Sequence, residues 1–141
     1  MKFTIFYILL TLLSCNSSKN VNQDKKETGS YLVEEISSIN NWNIIYVTKQ
    51  DSIYKIVTKK EDNKNCEKIM IGKSYKFKLN SRKKNVPEIN GVKIRPINSL
   101  DIHCYSYDSE TDICIEPEKG VYDLYHTDNI KGLCYIATNL E

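Results

Sequence analysis

The sequence predicts a mainly β fold, a small single-domain barrel or β-sandwich carrying one short helix, on three observations. Alanine, the strongest helix former, occurs once, as Ala137. Ile, Val, Thr and Tyr, which suit a pleated and half-buried surface, are abundant, with 10 tyrosines among 141 residues. Short apolar runs alternate with polar turn residues along the chain.

Asn16 to Ser30 reads NSSKNVNQDKKETGS, with Val21 as its only aliphatic residue. Such a stretch buries too little apolar surface to offset the entropy of ordering it. It is expected to be a disordered tether spanning roughly 20 Å r.m.s.. The globular domain is therefore expected over 31–141.

Tyr31 to Ile39 fits a helix face or a strand, and the strand is preferred. The firmest pair is Ile44 to Thr48 with Ile53 to Val57, around the polar turn Lys49-Gln50-Asp51-Ser52. Pairing Thr48 with Ile53 sets Val47 against Tyr54 and Ile45 against Ile56. Ile44, Tyr46 and Val57 then occupy the opposite face, so both faces are apolar and the pair belongs inside a sheet or in a barrel wall.

After the charged loop Lys59 to Lys64, Tyr75, Phe77 and Leu79 alternate with Lys76 and Lys78 as a strand with its lysines outward. Asn90-Gly91 signals a tight hairpin turn. Asp101 to Tyr107 and Thr111 to Ile115 read as a further hairpin around Asp108-Ser109-Glu110. A three-residue loop there places Tyr107 opposite Thr111 and gathers Tyr105, Tyr107, Ile113 and Ile115 on one face. The helix is expected within Glu116 to His126, where Pro117 and Glu118 suit a first turn and Val121, Leu124 and Tyr125 share a helical face. Leu133 to Thr138 reads as the last strand. Short strands, tight turns, one helix and roughly 110 folded residues look similar to an oligonucleotide/oligosaccharide-binding (OB) barrel. The alternative is an immunoglobulin-like sandwich.

The N-terminus carries a different signal. Met1-Lys2 is cationic, and Phe3 to Leu13 is apolar apart from Thr4 and Thr11. Eleven residues are too few to span a bilayer, which takes about 20, but suit a secretory h-region. The closing tetrad Leu12-Leu13-Ser14-Cys15 resembles the lipobox of bacterial lipoproteins. That resemblance implies a signal peptide over 1–14, cleavage before Cys15, and acylation of Cys15, so that the partner of the chain's start is a lipid bilayer. It implies an address in the cell envelope, with the outer membrane expected because Asn16 stands where some lipoproteins carry a retaining aspartate.

With the signal removed, 19 Lys+Arg face 18 Asp+Glu. So even a balance, together with an envelope address, argues against a nucleic-acid partner. Five cysteines divide into Cys15 for lipid and four others, which an oxidising compartment would pair. The hairpin register places Cys104 opposite Cys114, within disulfide reach. Cys66 and Cys134 are left to pair with each other.

Catalytic signals are sparse. His103 and Cys104 are neighbours on a strand and point to opposite faces, and a paired cysteine is no nucleophile. His103 and His126 have carboxylates nearby in sequence, such as Asp101, Asp123 and Asp128. No Cys-x-x-Cys, His-x-x-x-His or carboxylate-rich loop accompanies them, so neither a metal nor a cofactor is expected. Glu34-Glu35 and Glu116 with Glu118 read as solvated faces. Arg82-Lys83-Lys84, Lys93 and Arg95 form a basic cluster suited to anionic headgroups. The expectation is a non-catalytic envelope binding or accessory module for a protein or glycan, a class that includes inhibitors and immunity proteins. A small hydrolase using His103 or His126, and a structural spacer, are the alternatives.

Overall fold

The computed structural model describes residues 27–63, 66–83, 88–90, 92–93 and 103–137. The expected lipobox with Cys15, most of the expected tether, and Lys84, Arg95 and Asp101 lie outside the described residues. In chain order the strands are β1 (Glu27–Ile39), β2 (Trp42–Lys49), β3 (Ser52–Lys59), β4 (Glu67–Lys68), β5 (Ser74–Ser81), β6 (Glu88–Ile89) and β7 (Val92–Lys93). They continue with β8 (Cys104–Asp108), β9 (Thr111–Cys114), β10 (Leu124–His126), β11 (Ile130–Lys131) and β12 (Cys134–Tyr135).

Five of these close into a barrel in the order β1-β2-β3-β10-β5. Closure selects the barrel over the sandwich, with the five strands of an OB barrel. β10 runs parallel to β3 and antiparallel to β5. The long β1 serves two neighbours. Its first half pairs with β5 and its second with β2, and Leu32 stands opposite both Ser74 and Thr48. A bulge between Val33 and Glu35 marks where β1 bends from one partner to the other.

The β2–β3 register is the expected one, with Thr48 opposite Ile53, Val47 opposite Tyr54 and Ile45 opposite Ile56. Both faces are buried. Ile45, Val47 and Ile56 point into the barrel with Tyr31, Val33, Phe77 and Leu79. Ile44 and Val57 point outward into a second cluster with Ile113 and Leu124, flanked by Trp42, Tyr46, Tyr105, Tyr107 and Ile115. The β8–β9 hairpin forms its own two-stranded sheet and covers that outer face. A three-stranded sheet of β11, β12 and β4 packs on the barrel through Ile69, Ile130 and Tyr135.

Three expectations need correction. The strand begins at Glu27, not at Tyr31: Glu27, Thr28, Gly29 and Ser30 pair with Leu79, Lys78, Phe77 and Lys76. Ladder bonds are made by the backbone, so an apolar-poor segment can extend a strand whose partner is already fixed.

The expected helix over 116–126 reduces to a 3₁₀ turn, Pro117–Lys119, ended by Gly120 in the left-handed region (φ 78°). Leu124 and Tyr125 instead continue as strand opposite Lys55 and Ile56, one packing with the outer cluster and the other against the barrel core. In the β8–β9 hairpin Asp108, not Tyr107, stands opposite Thr111, because the register shifts between Ser106 and Asp108. Tyr105 still faces Ile113, so the shift stops short of the cysteines. The β2–β3 turn is the expected one: Lys49 and Ser52 pair and leave a two-residue loop with Gln50 at φ 54°.

Candidate functional site

A densely bonded polar group lies where the outer hairpin meets the barrel. Lys55 interrupts the apolar run of β3 and points outward, with its side chain only 4% exposed. Its Nζ donates to the Cys114 carbonyl at 2.9 Å and forms an ion pair with Glu116 Oε1. The other oxygen, Oε2, pairs with Lys119 Nζ at 2.8 Å. The Tyr46 hydroxyl donates to Oε1 at 2.9 Å, and both lysine ammonium groups lie 5.5 Å from the Tyr46 ring centroid.

Local backbone aims this carboxylate. Glu116 and Val121 exchange two backbone hydrogen bonds across the 3₁₀ turn, and Val121 is fully buried. Burial alone would raise the Glu116 carboxyl, but hydrogen bonds from Lys119, Lys55 and Tyr46 outweigh it and hold the group at about 2. Burial, and next the bond to Glu116, push the Tyr46 hydroxyl well above its usual range. A carboxylate held so acidic is a weak base at neutral pH, and good general bases lie near the working pH. The chemistry of this group is that of a clasp between hairpin and barrel.

The hairpin tip has its own fastening. Trp42 Nε1 donates to Asp108 Oδ2 at 2.6 Å, and Asn40 Nδ2 donates to Thr111 Oγ1 at 2.9 Å. The Trp42 bond is the first cause that lowers the Asp108 carboxyl. Beside Tyr107, the Arg82 guanidinium lies 5.4 Å from that ring and 5.7 Å from the Tyr105 ring. Burial raises the Tyr107 hydroxyl to about 12, against the opposing charge of Arg82. Arg82 thus packs against the hairpin, while Lys84 and Arg95 of the expected basic cluster lie outside the described residues.

Cys104 is joined to Cys114 across the hairpin, and Cys66 to Cys134, whose Cα atoms lie 5.5 Å apart. His103 precedes β8 and is exposed; its carbonyl accepts from Ile115 N at 2.8 Å. His126 is half-buried on β10, opposite Asn80. One thus precedes the outer hairpin and the other lies in the barrel wall. Among the described residues, no three His, Cys, Asp or Glu side chains gather closely enough to hold a metal ion. Asp123 accepts from Ser81 Oγ and from the backbone N–H groups of Lys83 and Leu124. Glu34 accepts from Thr48 Oγ1 at 3.0 Å on the other side of the barrel wall from the core.

Sequence reasoning missed the Lys55–Glu116 clasp. A lone lysine in the run Ile53-Tyr54-Lys55-Ile56-Val57 was the available signal, because a charge facing a buried surface needs a partner. No protein-family model, curated protein or solved structure matches the chain.

Proposed function

We propose that this chain is a membrane-anchored envelope lipoprotein whose globular domain serves as a non-catalytic binding or accessory module. The observation that carries the reading is the partition of its five cysteines. Four are consumed in two intramolecular disulfides, and the fifth, Cys15, closes a lipobox behind an apolar signal. Disulfides persist in oxidising compartments, and acyl chains contribute about 0.8 kcal/mol per buried CH₂ to membrane attachment.

The barrel interior is filled by Tyr31, Phe77 and aliphatic side chains, which favours recognition by the outer surface over a ligand held in the lumen. A protein or glycan of the envelope is the partner class that fits. Fractionation of cells carrying Cys15→Ala tests the anchor: the variant should lose acylation and stable membrane attachment. Cross-linked capture from intact envelopes then tests the partner. Hydrolysis abolished by His103→Ala or His126→Ala in a folded domain would replace this reading with the hydrolase.

A further inference from the structure

We infer that the turn between β4 and β5 is a second membrane contact, in which Met70 and Ile71 enter the headgroup layer of an anionic bilayer while Lys68, Lys73 and Lys76 engage its phosphates. The inference rests on the anchoring proposed above. Single exposed apolar residues are ordinary on protein surfaces. This turn differs because two large apolar side chains are adjacent, 52% and 59% exposed, while Ile69 just before them is buried in the core. Leu32, also exposed, stands opposite Ser74 at the foot of the turn.

The turn is held in shape. Gly72 N donates to the Val33 carbonyl at 2.8 Å and Val33 N to the Lys73 carbonyl at 3.0 Å. Met70 N donates to the Tyr75 hydroxyl at 3.0 Å, and Gly72 takes a positive φ of 80°. Exposure of Met70 and Ile71 is therefore imposed by bonds on both sides rather than left to a loose loop. Three exposed lysines flank them, against one carboxylate, Glu67, between 67 and 76. The next carboxylate along β1, Glu34, is engaged by Thr48.

Chain length allows turn and anchor to meet one plane. The turn adjoins Val33, and the six steps from Glu27 to Val33 cover about 20 Å. The twelve steps from Cys15 to Glu27 can extend to about 40 Å. An acyl anchor joined to a basic, apolar contact is the two-signal arrangement that makes membrane attachment stable.

The test uses the mature lipidated protein, in which Met70 is the only methionine once Met1 leaves with the signal. The protein is loaded on vesicles of phosphatidylcholine, with or without phosphatidylglycerol, and floated. Conversion of Met70 to its sulfoxide by peroxide is then followed by peptide mass. Anionic vesicles should slow the oxidation several-fold relative to neutral ones. Lys68→Gln/Lys73→Gln should restore the neutral-vesicle rate, since each lysine contributes about fivefold to docking.

Equal rates on the two vesicle types, with the protein floating on both, overturn the contact and leave the anchor standing. Failure to float on either overturns the anchor and the contact together. Protection that follows protein concentration and not anionic lipid would mark a second copy of the chain as the occupant, and also overturns the inference.

Discussion

The two apolar clusters on either side of the β2–β3 wall are held by different physics. Inside the barrel, Tyr31, Val33, Ile45, Val47, Ile56, Phe77 and Leu79 are buried against one another, and the enclosing strands bond to each other through backbone ladders. Outside, Ile44, Val57, Ile113 and Leu124 are covered by a two-stranded hairpin that, among the described residues, shares no ladder with the barrel. Directional side-chain bonds fasten it instead: Lys55 to Glu116 and the Cys114 carbonyl at the base, Trp42 to Asp108 and Asn40 to Thr111 at the tip. A backbone ladder is indifferent to most substitutions, whereas the clasp depends on a few named groups. The barrel should therefore tolerate change at many positions and fail globally at its core, while the hairpin should open locally when one bond is removed.

The largest effect is expected at the barrel centre. Phe77→Ala should destabilise the whole domain by about 3–5 kcal/mol, read as a shift of the single denaturant transition. Next comes the clasp. Glu116→Gln leaves Lys55 buried beside a neutral partner and should cost about 3 kcal/mol, while Lys55→Met/Glu116→Leu should recover most of it. If the double variant is as unstable as the single, the clasp is not where that stability resides.

The same group predicts an acid dependence. Glu116 sits at about 2 in the folded domain against an ordinary 4.5. Its contribution is thus fully present above about 4.5 and is lost as the pH falls through about 2. Denaturant titrations between those limits should show a stability loss in the parent that is absent in Glu116→Gln.

Removing the hairpin disulfide with Cys104→Ser/Cys114→Ser should cost about 2–3 kcal/mol by the loop-entropy relation, since the cysteines are 10 apart. Faster amide exchange in β8 and β9 than in β2 and β3 would locate that loss in the hairpin. The smallest effect is Asp108→Asn at the exposed tip. It should raise exchange near Thr111 and leave the global transition in place.

Much of this architecture was legible in the sequence because its determinants are local. The face alternation of Tyr75, Phe77 and Leu79 and the polar turn after Thr48 set strands and register between near neighbours. The opposition of Cys104 and Cys114 needed only a hairpin whose irregularity lay on the far side of Ser106. What escaped was non-local. Lys55 and Glu116 are 61 residues apart, and nothing near either one names the other. Glu27 to Ser30 join a strand because β5 offers a partner, which their own composition does not announce. The helix expected after Pro117 fails because parallel pairing with β3 satisfies Leu124 and Tyr125 better than a helical face would. Met70 and Ile71 follow a buried Ile69, and only the bonds to Val33 show that the chain turns outward there.

On the proposed reading the domain is oxidised outside the cytoplasm and held there by one acylated cysteine. Intact-mass analysis of the protein extracted from membranes, after thiol alkylation without reduction, tests it most directly. Loss of residues 1–14, a mass increase of acyl size localised to Cys15, and no alkylation at Cys66, Cys104, Cys114 or Cys134 are expected. Retention of Met1 with an unacylated Cys15, or alkylation of all four of the others, would contradict it.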